Sequence, residues 1–144
     1  MPEAAEALKR LLTGLQRNQI TGNNVRFLGT ASWDSPETLT LPELNNAWYA
    51  AVPFGEMNNF MTSFQENFGY HPPQLSSLSY DAVLLIAELG KEGLVSGEIT
   101  RQDGFFGANG AYRFLSDGTS ERSYDVMEIN NGSVAVLDPA QKFF

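Results

Sequence analysis

The sequence is poor in the side chains from which most enzymes and metal sites are built. It contains no cysteine, which excludes disulfides, thiol catalysis and thiolate metal ligands. It contains one histidine, His71, which is too few for most histidine-based metal sites and acid–base pairs. No apolar run approaches the roughly 20 residues that a membrane-spanning helix needs. These absences predict a protein that is not an enzyme, uses no cofactor and has no membrane span.

Positive charge is also scarce. The chain has nine lysines and arginines and 17 aspartates and glutamates, so its net charge is −8. Nucleic acid is therefore not expected as a partner, because phosphate binding needs clustered basic residues. Residues 2–6 are acidic where a secretory signal would be basic, so the chain as written predicts no signal peptide and, taken alone, a cytosolic location.

What the sequence does contain is one strongly apolar stretch, residues 70–89, in which a helix is expected from Ser76 or Ser77 onward. Pro72 and Pro73 can precede a helix but cannot lie inside one, and Gly90 is a natural residue to end it. Apolar residues occupy nearly every side of this helix, which predicts burial on both flanks. A helix buried in this way needs packed layers around it, so the expected fold class is a layered α/β arrangement.

The other elements follow from periodicity and turn signals. Residues 2–16 and 58–68 are expected to be helices, the latter with a stripe of phenylalanines that we interpret as core. Further predicted elements are strands at 25–28 and 47–52, a helical turn within 36–44 and a short helix around 96–101. Asn-Gly and Asp-Gly dipeptides separate strands at 112–115, 123–129 and 133–137, which predicts a terminal β-meander. With 144 residues and no visible linker, residues 1–144 are expected to form a single compact unit.

The loop from Gly29 to Asp34 is the candidate ligand site. It follows a predicted strand, and loops at the carboxyl ends of strands in α/β sheets usually hold the ligands. It offers the hydroxyls of Thr30 and Ser32, the indole of Trp33 and the carboxylate of Asp34. Two interpretations stay open: a polar turn with Trp33 packed as core, or a loop that faces a ligand.

Three other patterns carry little chemistry. Asp81 and Glu88 lie two helical turns apart, but Asp81 is more simply explained as a partner of the helix dipole. His71 has no serine or cysteine in a nucleophile motif and is interpreted as a turn residue. The glycines of residues 104–110 precede a strand and not a helix, so they do not form a phosphate-binding loop.

The order of several motifs resembles the C-terminal part of type I periplasmic binding proteins, and most of all their penicillin-binding protein activator (LppC-like lipoprotein) branch. The similar segments are Phe27-Leu28-Gly29-Thr30, Trp33-Asp34, Ser79-Tyr80-Asp81-Ala82-Val83, Gly107-Ala108-Asn109-Gly110, Asp117-Gly118-Thr119 and Leu137-Asp138-Pro139-Ala140. The resemblance covers essentially the whole chain, which corresponds to less than half of a bilobed bacterial receptor.

That resemblance implies a binding module of a periplasmic parent protein. Its ligand-binding residues would be Thr30, Ser32, Trp33, Asp34 and Tyr80. The implied role is contact with a cell-wall synthase protein; the alternative is a fragment of an ABC-transporter receptor for branched-chain amino acids or another small polar solute. Amino-acid receptors of this family carry an acidic residue near position 31, where this chain has alanine, so the clamp for the ligand ammonium is missing. A truncated bilobed fold would also leave apolar faces uncovered, which predicts self-association.

Overall fold

The computed structural model describes residues 5–73, 75–91 and 97–144. Its elements, in chain order, are α1 (Ala5–Arg17), β1 (Leu28–Gly29), a 3-10 turn (Ala31–Trp33), α2 (Pro36–Leu39), a 3-10 turn (Pro42–Leu44), β2 (Trp48–Ala51), α3 (Phe54–Phe68), α4 (Ser76–Lys91), a 3-10 turn (Glu98–Thr100), β3 (Phe105–Gly107), β4 (Gly110–Phe114), β5 (Ser120–Arg122), β6 (Asp125–Asn130) and β7 (Ser133–Asp138). The mixed α/β class that the sequence predicts is confirmed. No helix among the described residues is long and apolar enough to cross a membrane.

The chain folds as two compact units and not as the single unit that the sequence predicts. The first unit contains Met1–Ala51 and Asp125–Pro139, and the second contains Val52–Tyr124 and Ala140–Phe144. The chain therefore leaves the first unit after β2 and returns to it at β6. Composition gives no sign of this division, because neither crossing is marked by a proline-rich or glycine-rich linker.

The first unit is built on a four-stranded sheet in the order β1-β2-β6-β7. β1 runs parallel to β2, whereas the β2–β6 and β6–β7 pairs are antiparallel. Side chains alternate along β2 and β6, so that Tyr49, Met127 and Ile129 face the core with Leu8 and Leu12 of α1. The predicted first helix thus packs into the core of this unit through Leu8 and Leu12, whereas Leu11 is exposed.

The β6–β7 hairpin is closed by the turn that the sequence predicts. Asn130 pairs with Ser133, which leaves Asn131 and Gly132 as the two turn residues. Both have positive φ angles, 51° and 81°, as a type I′ turn requires. Asparagine and glycine tolerate this conformation best, so the dipeptide fixes the register of the hairpin.

The second unit contains a three-stranded antiparallel sheet in the order β3-β4-β5. Phe105 and Tyr112 of this sheet form a small core with Leu89 of α4. The predicted meander is therefore present only in part. The predicted strand 123–129 is β6, which pairs with β2 in the first unit, so the terminal strands belong to two sheets. Turn signals locate strand ends but carry no information on which distant strand a segment will pair with.

The expected burial of α4 on both flanks is wrong. The helix is present, and it continues through Gly90 to Lys91 without ending at that glycine. Its buried residues are Ser77, Asp81 and Leu89, while Val83 and Ile86 are 65% and 63% exposed. Ser77 and Asp81 face inward because they have hydrogen-bond partners there. The opposite face carries an exposed apolar stripe, which we call the outer stripe of α4 and which consists of Ser79, Ala82, Val83, Ile86, Ala87 and Gly90.

Candidate functional site

The predicted ligand loop is an ordered 3-10 turn at the carboxyl end of β1. The strand ends at Gly29, and the turn Ala31–Trp33 follows directly after Thr30. Thr30 Oγ1 and Ser32 Oγ lie 2.9 Å apart, and both residues are exposed. Because β1 is parallel to β2, these hydroxyls stand where α/β sheets commonly present groups to ligands.

The side chain of Trp33 holds this loop against the core of the first unit. Its side chain is completely buried in the core of the first unit, so the core interpretation applies to it and it has no exposed surface to offer a ligand. The indole lies directly against the backbone of Gly29, where an added Cβ would come within 2.2 Å of Trp33 Cδ2. Glycine is therefore needed at position 29 because there is no space for a side chain. The backbone conformation does not require glycine, since the φ angle of Gly29 is not in the left-handed region.

Asp34 ties the far end of the loop to the sheet. The hydroxyl of Tyr49 on β2 donates to Asp34 Oδ1 at 3.2 Å. Burial of Tyr49, together with the charge of Asp34 and this hydrogen bond, raises the pKa of the Tyr49 hydroxyl far above its usual value. The phenol therefore stays protonated and remains a donor throughout the physiological range.

Tyr80, the fifth predicted site residue, belongs to the second unit. It is half exposed, and its ring contacts that of Phe60 with 5.0 Å between centroids. Four of the predicted residues thus share one loop of the first unit, while the fifth, Tyr80, lies in the second unit. The role of all five in ligand binding stays a prediction.

Tyr80 lines an open groove that is not predicted from the sequence. The phenylalanine stripe of α3 is expected to be core, yet only Phe60 is buried and Phe68 is 62% exposed. We call this feature the aromatic groove. Its volume is about 460 Å³, and it is lined by Glu56, Asn59, Phe60, Ser63, Phe64, Asn67, Phe68, Tyr80, Leu84, Phe106, Gly107 and Ala108. A signal was present in the sequence: a polar residue precedes each phenylalanine of the stripe, so polar and aromatic rows run side by side along the helix.

Asp81 fixes the β3–β4 hairpin against α4 beside this groove. Its carboxylate accepts hydrogen bonds from the backbone N–H of Ala108 at 2.6 Å, the backbone N–H of Asn109 at 3.2 Å and Asn109 Nδ2 at 2.7 Å. The side chain is buried, and Ser77 completes the network through a 3.3 Å hydrogen bond to Asn109 Oδ1. The interpretation of Asp81 as a dipole partner is therefore wrong, since the residue lies in the second turn and binds the hairpin.

The other two candidate residues, Glu88 and His71, are explained by their surroundings in the structure. Arg101 Nη2 donates to Glu88 Oε1 at 2.6 Å, so this carboxylate forms an ion pair and does not share a site with Asp81. His71 is exposed in an irregular segment. Within residues 5–73, 75–91 and 97–144, no group of three or more histidine, aspartate or glutamate side chains is arranged to hold a metal ion.

Solved structures show which fold these elements belong to. A protein from Rhodospirillum rubrum assigned to branched-chain amino acid ABC transport aligns with a TM-score of 0.66 over 88% of this chain, at 18% identity. The branched-chain amino acid transporter substrate-binding protein LivJ of Streptococcus pneumoniae, solved with isoleucine, aligns with a TM-score of 0.55 over 98% of this chain, at 20% identity. The leucine-binding protein LivK of Thermotoga maritima gives 0.51 over 94%, at 23% identity. The chain thus has a type I periplasmic-binding-like fold.

The alignments cover only part of those receptors. The chain spans 40% of the first structure and 43% of each of the other two. No protein-family model and no curated protein matches the sequence. At these identities the likeness establishes the fold, and the ligand and partners of the chain have to be argued from its own residues.

Proposed function

We propose that the chain is a non-enzymatic ligand-binding module, part of a solute receptor whose parent protein works in the periplasm. The observation that carries the proposal is the pair of exposed hydroxyls, Thr30 and Ser32, on a loop fixed at both ends at the carboxyl end of β1. A loop held by a buried indole and by the Tyr49–Asp34 hydrogen bond loses little entropy on binding, which favours affinity.

The ligand that this loop suits is a small polar solute that accepts hydrogen bonds. The two hydroxyls hydrogen-bond each other at 2.9 Å, and both can donate to one carboxylate or carbonyl group when a ligand replaces that bond. Position 31 holds alanine, so the loop supplies no carboxylate there for an amino-acid ammonium. The proposal therefore favours acids or amides without an α-ammonium over leucine itself.

Regulation of a cell-wall synthase, the other function implied by the sequence resemblance, receives less support. The three aligned structures described above are assigned to transport or binding of branched-chain amino acids or leucine. A receptor for a small solute accounts for the rigid hydroxyl pair, whereas a protein-binding role leaves it unexplained. We therefore favour the solute receptor.

Replacing both hydroxyls tests this assignment. In NMR titrations of the 144-residue chain with 2-hydroxy acids, amides and amino acids, we expect a hydroxy acid to shift the backbone signals of residues 29–34. The double variant Thr30→Val/Ser32→Ala should bind at least about fivefold more weakly, because two hydrogen bonds of roughly 0.5–1.5 kcal/mol each are lost.

Thr40→Val is the matched control. Thr40 is exposed in the same unit, and its hydroxyl donates to the backbone carbonyl of Pro36, away from the loop. This variant should bind like the original chain. Absence of any shift at residues 29–34 across the panel, or an unchanged affinity in the double variant, would refute the proposal.

We also propose that the chain self-associates through the outer stripe of α4. Val83 and Ile86 are more than half exposed on a face without a charged group, and burying each contributes about 1.5–3 kcal/mol. Light scattering should show a species larger than 15.9 kDa. Ile86→Lys should raise the dissociation constant at least tenfold, whereas Val25→Lys, at an exposed site in the first unit, should not. A monomer at millimolar concentration would contradict this.

A further inference from the structure

The aromatic groove has the size and form of a small-molecule site. Its volume of about 460 Å³ lies within the roughly 300–1,000 Å³ that such sites occupy. It lies wholly within the second unit and shares no lining residue with the loop of residues 29–34. A ligand bound here would thus be additional to the solute proposed above.

The groove wall is a continuous row of aromatic rings. Tyr80 contacts Phe60 with 5.0 Å between ring centroids, Phe60 contacts Phe64 at 6.0 Å, and Phe64 contacts Phe68 at 4.5 Å. Tyr70 supports the row from the side by an edge-on contact with Phe64 at 5.3 Å. Exposed rings held in place in this way can bind an apolar body at little cost in side-chain entropy.

The polar side of the groove favours a ligand that is positively charged. Among the described residues, Glu56 is the only charged side chain in the lining, and none of them there is a lysine, arginine or histidine. Within the described part of the chain, Glu56 has no ion-pair partner. Asn67 Nδ2 donates one of its two hydrogens to the Ser63 carbonyl at 2.7 Å, and its amide oxygen remains an acceptor for a ligand.

Aromatic faces add to this preference. The electron-rich face of a phenylalanine or tyrosine ring attracts a cation within about 6 Å of its centre. An anion would lose solvation beside a carboxylate and beside those faces, and the lining offers it only neutral donors, the hydroxyls of Ser63 and Tyr80 and the amides of Asn59 and Asn67. Acceptors, one negative charge and a row of rings together select for an amine with an apolar body.

We propose that the aromatic groove binds an organic cation that has an aromatic or branched alkyl body. The body lies along Phe60, Phe64 and Phe68, and the ammonium group lies toward Glu56. This orientation follows from the spacing on α3, where Glu56 precedes Phe60 by one turn and thus stands at one end of the ring row.

A titration with three probes of equal size tests the charge preference. The probes are 2-phenylethylammonium, neutral 2-phenylethanol and phenylacetate, followed by NMR through the amides of Gly107 and Ala108 and at a protein concentration where light scattering shows one species. We expect the cation to shift these amides and to bind at least tenfold more tightly than the anion. Equal binding of cation and anion would overturn the proposal, as would absence of binding by the cation.

Two variants separate charge from shape. Glu56→Gln should weaken the cation about fivefold or more and leave the neutral probe unchanged, while Phe64→Ala should weaken both. The controls on the same helix are Glu66→Gln and Phe54→Ala, which are exposed and lie outside the lining. Equal effects of Glu56→Gln and Glu66→Gln would refute the charge contact. A cation that binds without shifting the amides of Gly107 and Ala108 would lie outside the groove, and would also refute the proposal.

Discussion

Replacing Asp81 by alanine is expected to lower the free energy of unfolding of the second unit by about 3–5 kcal/mol. The variant removes a buried carboxylate that accepts three hydrogen bonds, two of them from backbone N–H groups of Ala108 and Asn109. Those donors would remain buried without an acceptor. Urea unfolding measures the loss, and hydrogen exchange at the two amides should accelerate more than elsewhere.

Gly107 supplies an independent check on this account. An alanine Cβ at that position would lie 2.3 Å from Asp81 Oδ1, so Gly107→Ala should destabilise the original chain. In the Asp81→Ala background the obstructing oxygen is absent, and the same change should cost much less, which a double-mutant cycle detects as coupling. Asp103→Asn, at an exposed carboxylate, is the control for loss of charge. Additive effects of the two changes would contradict the direct contact.

Gly29→Ala is expected to have the largest effect on the first unit. The new methyl group would lie 2.2 Å from Trp33 Cδ2 and 2.4 Å from Cε2 and Cε3, and the buried indole has no space into which to move. Overpacking of this kind costs about 1–3 kcal/mol and occasionally more. The loop would also shift, so the binding at Thr30 and Ser32 should be lost together with stability.

Gly14→Ala is the matched control for that change. Gly14 lies in α1, and an added Cβ would meet nothing within 4 Å. Because alanine favours helix over glycine, this variant should be more stable by up to about 1 kcal/mol. The same substitution thus has opposite signs at the two positions. A stable Gly29→Ala protein with unchanged ligand affinity would disprove the close packing of Trp33 on the backbone.

Elements governed by local rules could be predicted from the sequence. The stripe of Leu8 and Leu12, strand β2 and the Asn131-Gly132 turn all depend on residues within one segment, and periodicity or turn chemistry is enough to locate them. The position of the loop of residues 29–34 could be predicted for the same reason, since it follows a short strand and ends in a polar residue. Its role in ligand binding stays a prediction.

Features that depend on distant partners could not be predicted. Asp81 binds residues 27 and 28 positions further along the chain, and no local pattern announces such a contact. The phenylalanines of α3 have the spacing of a core face, but spacing does not reveal whether a neighbouring element covers them. In α4 the apolar composition suggests burial on all sides. The hydrogen bonds of Ser77 and Asp81 decide which face of the helix points inward.

The outer stripe of α4 has a consequence for how its contacts respond to temperature and salt. Because its side chains are aliphatic or small, any surface that covers them releases ordered water and gains entropy near 25 °C, with a negative heat-capacity change. Such a contact strengthens on warming and weakens in the cold. When the covering surface is a second copy, both partners carry a net charge of −8, so added salt screens their repulsion and strengthens the contact.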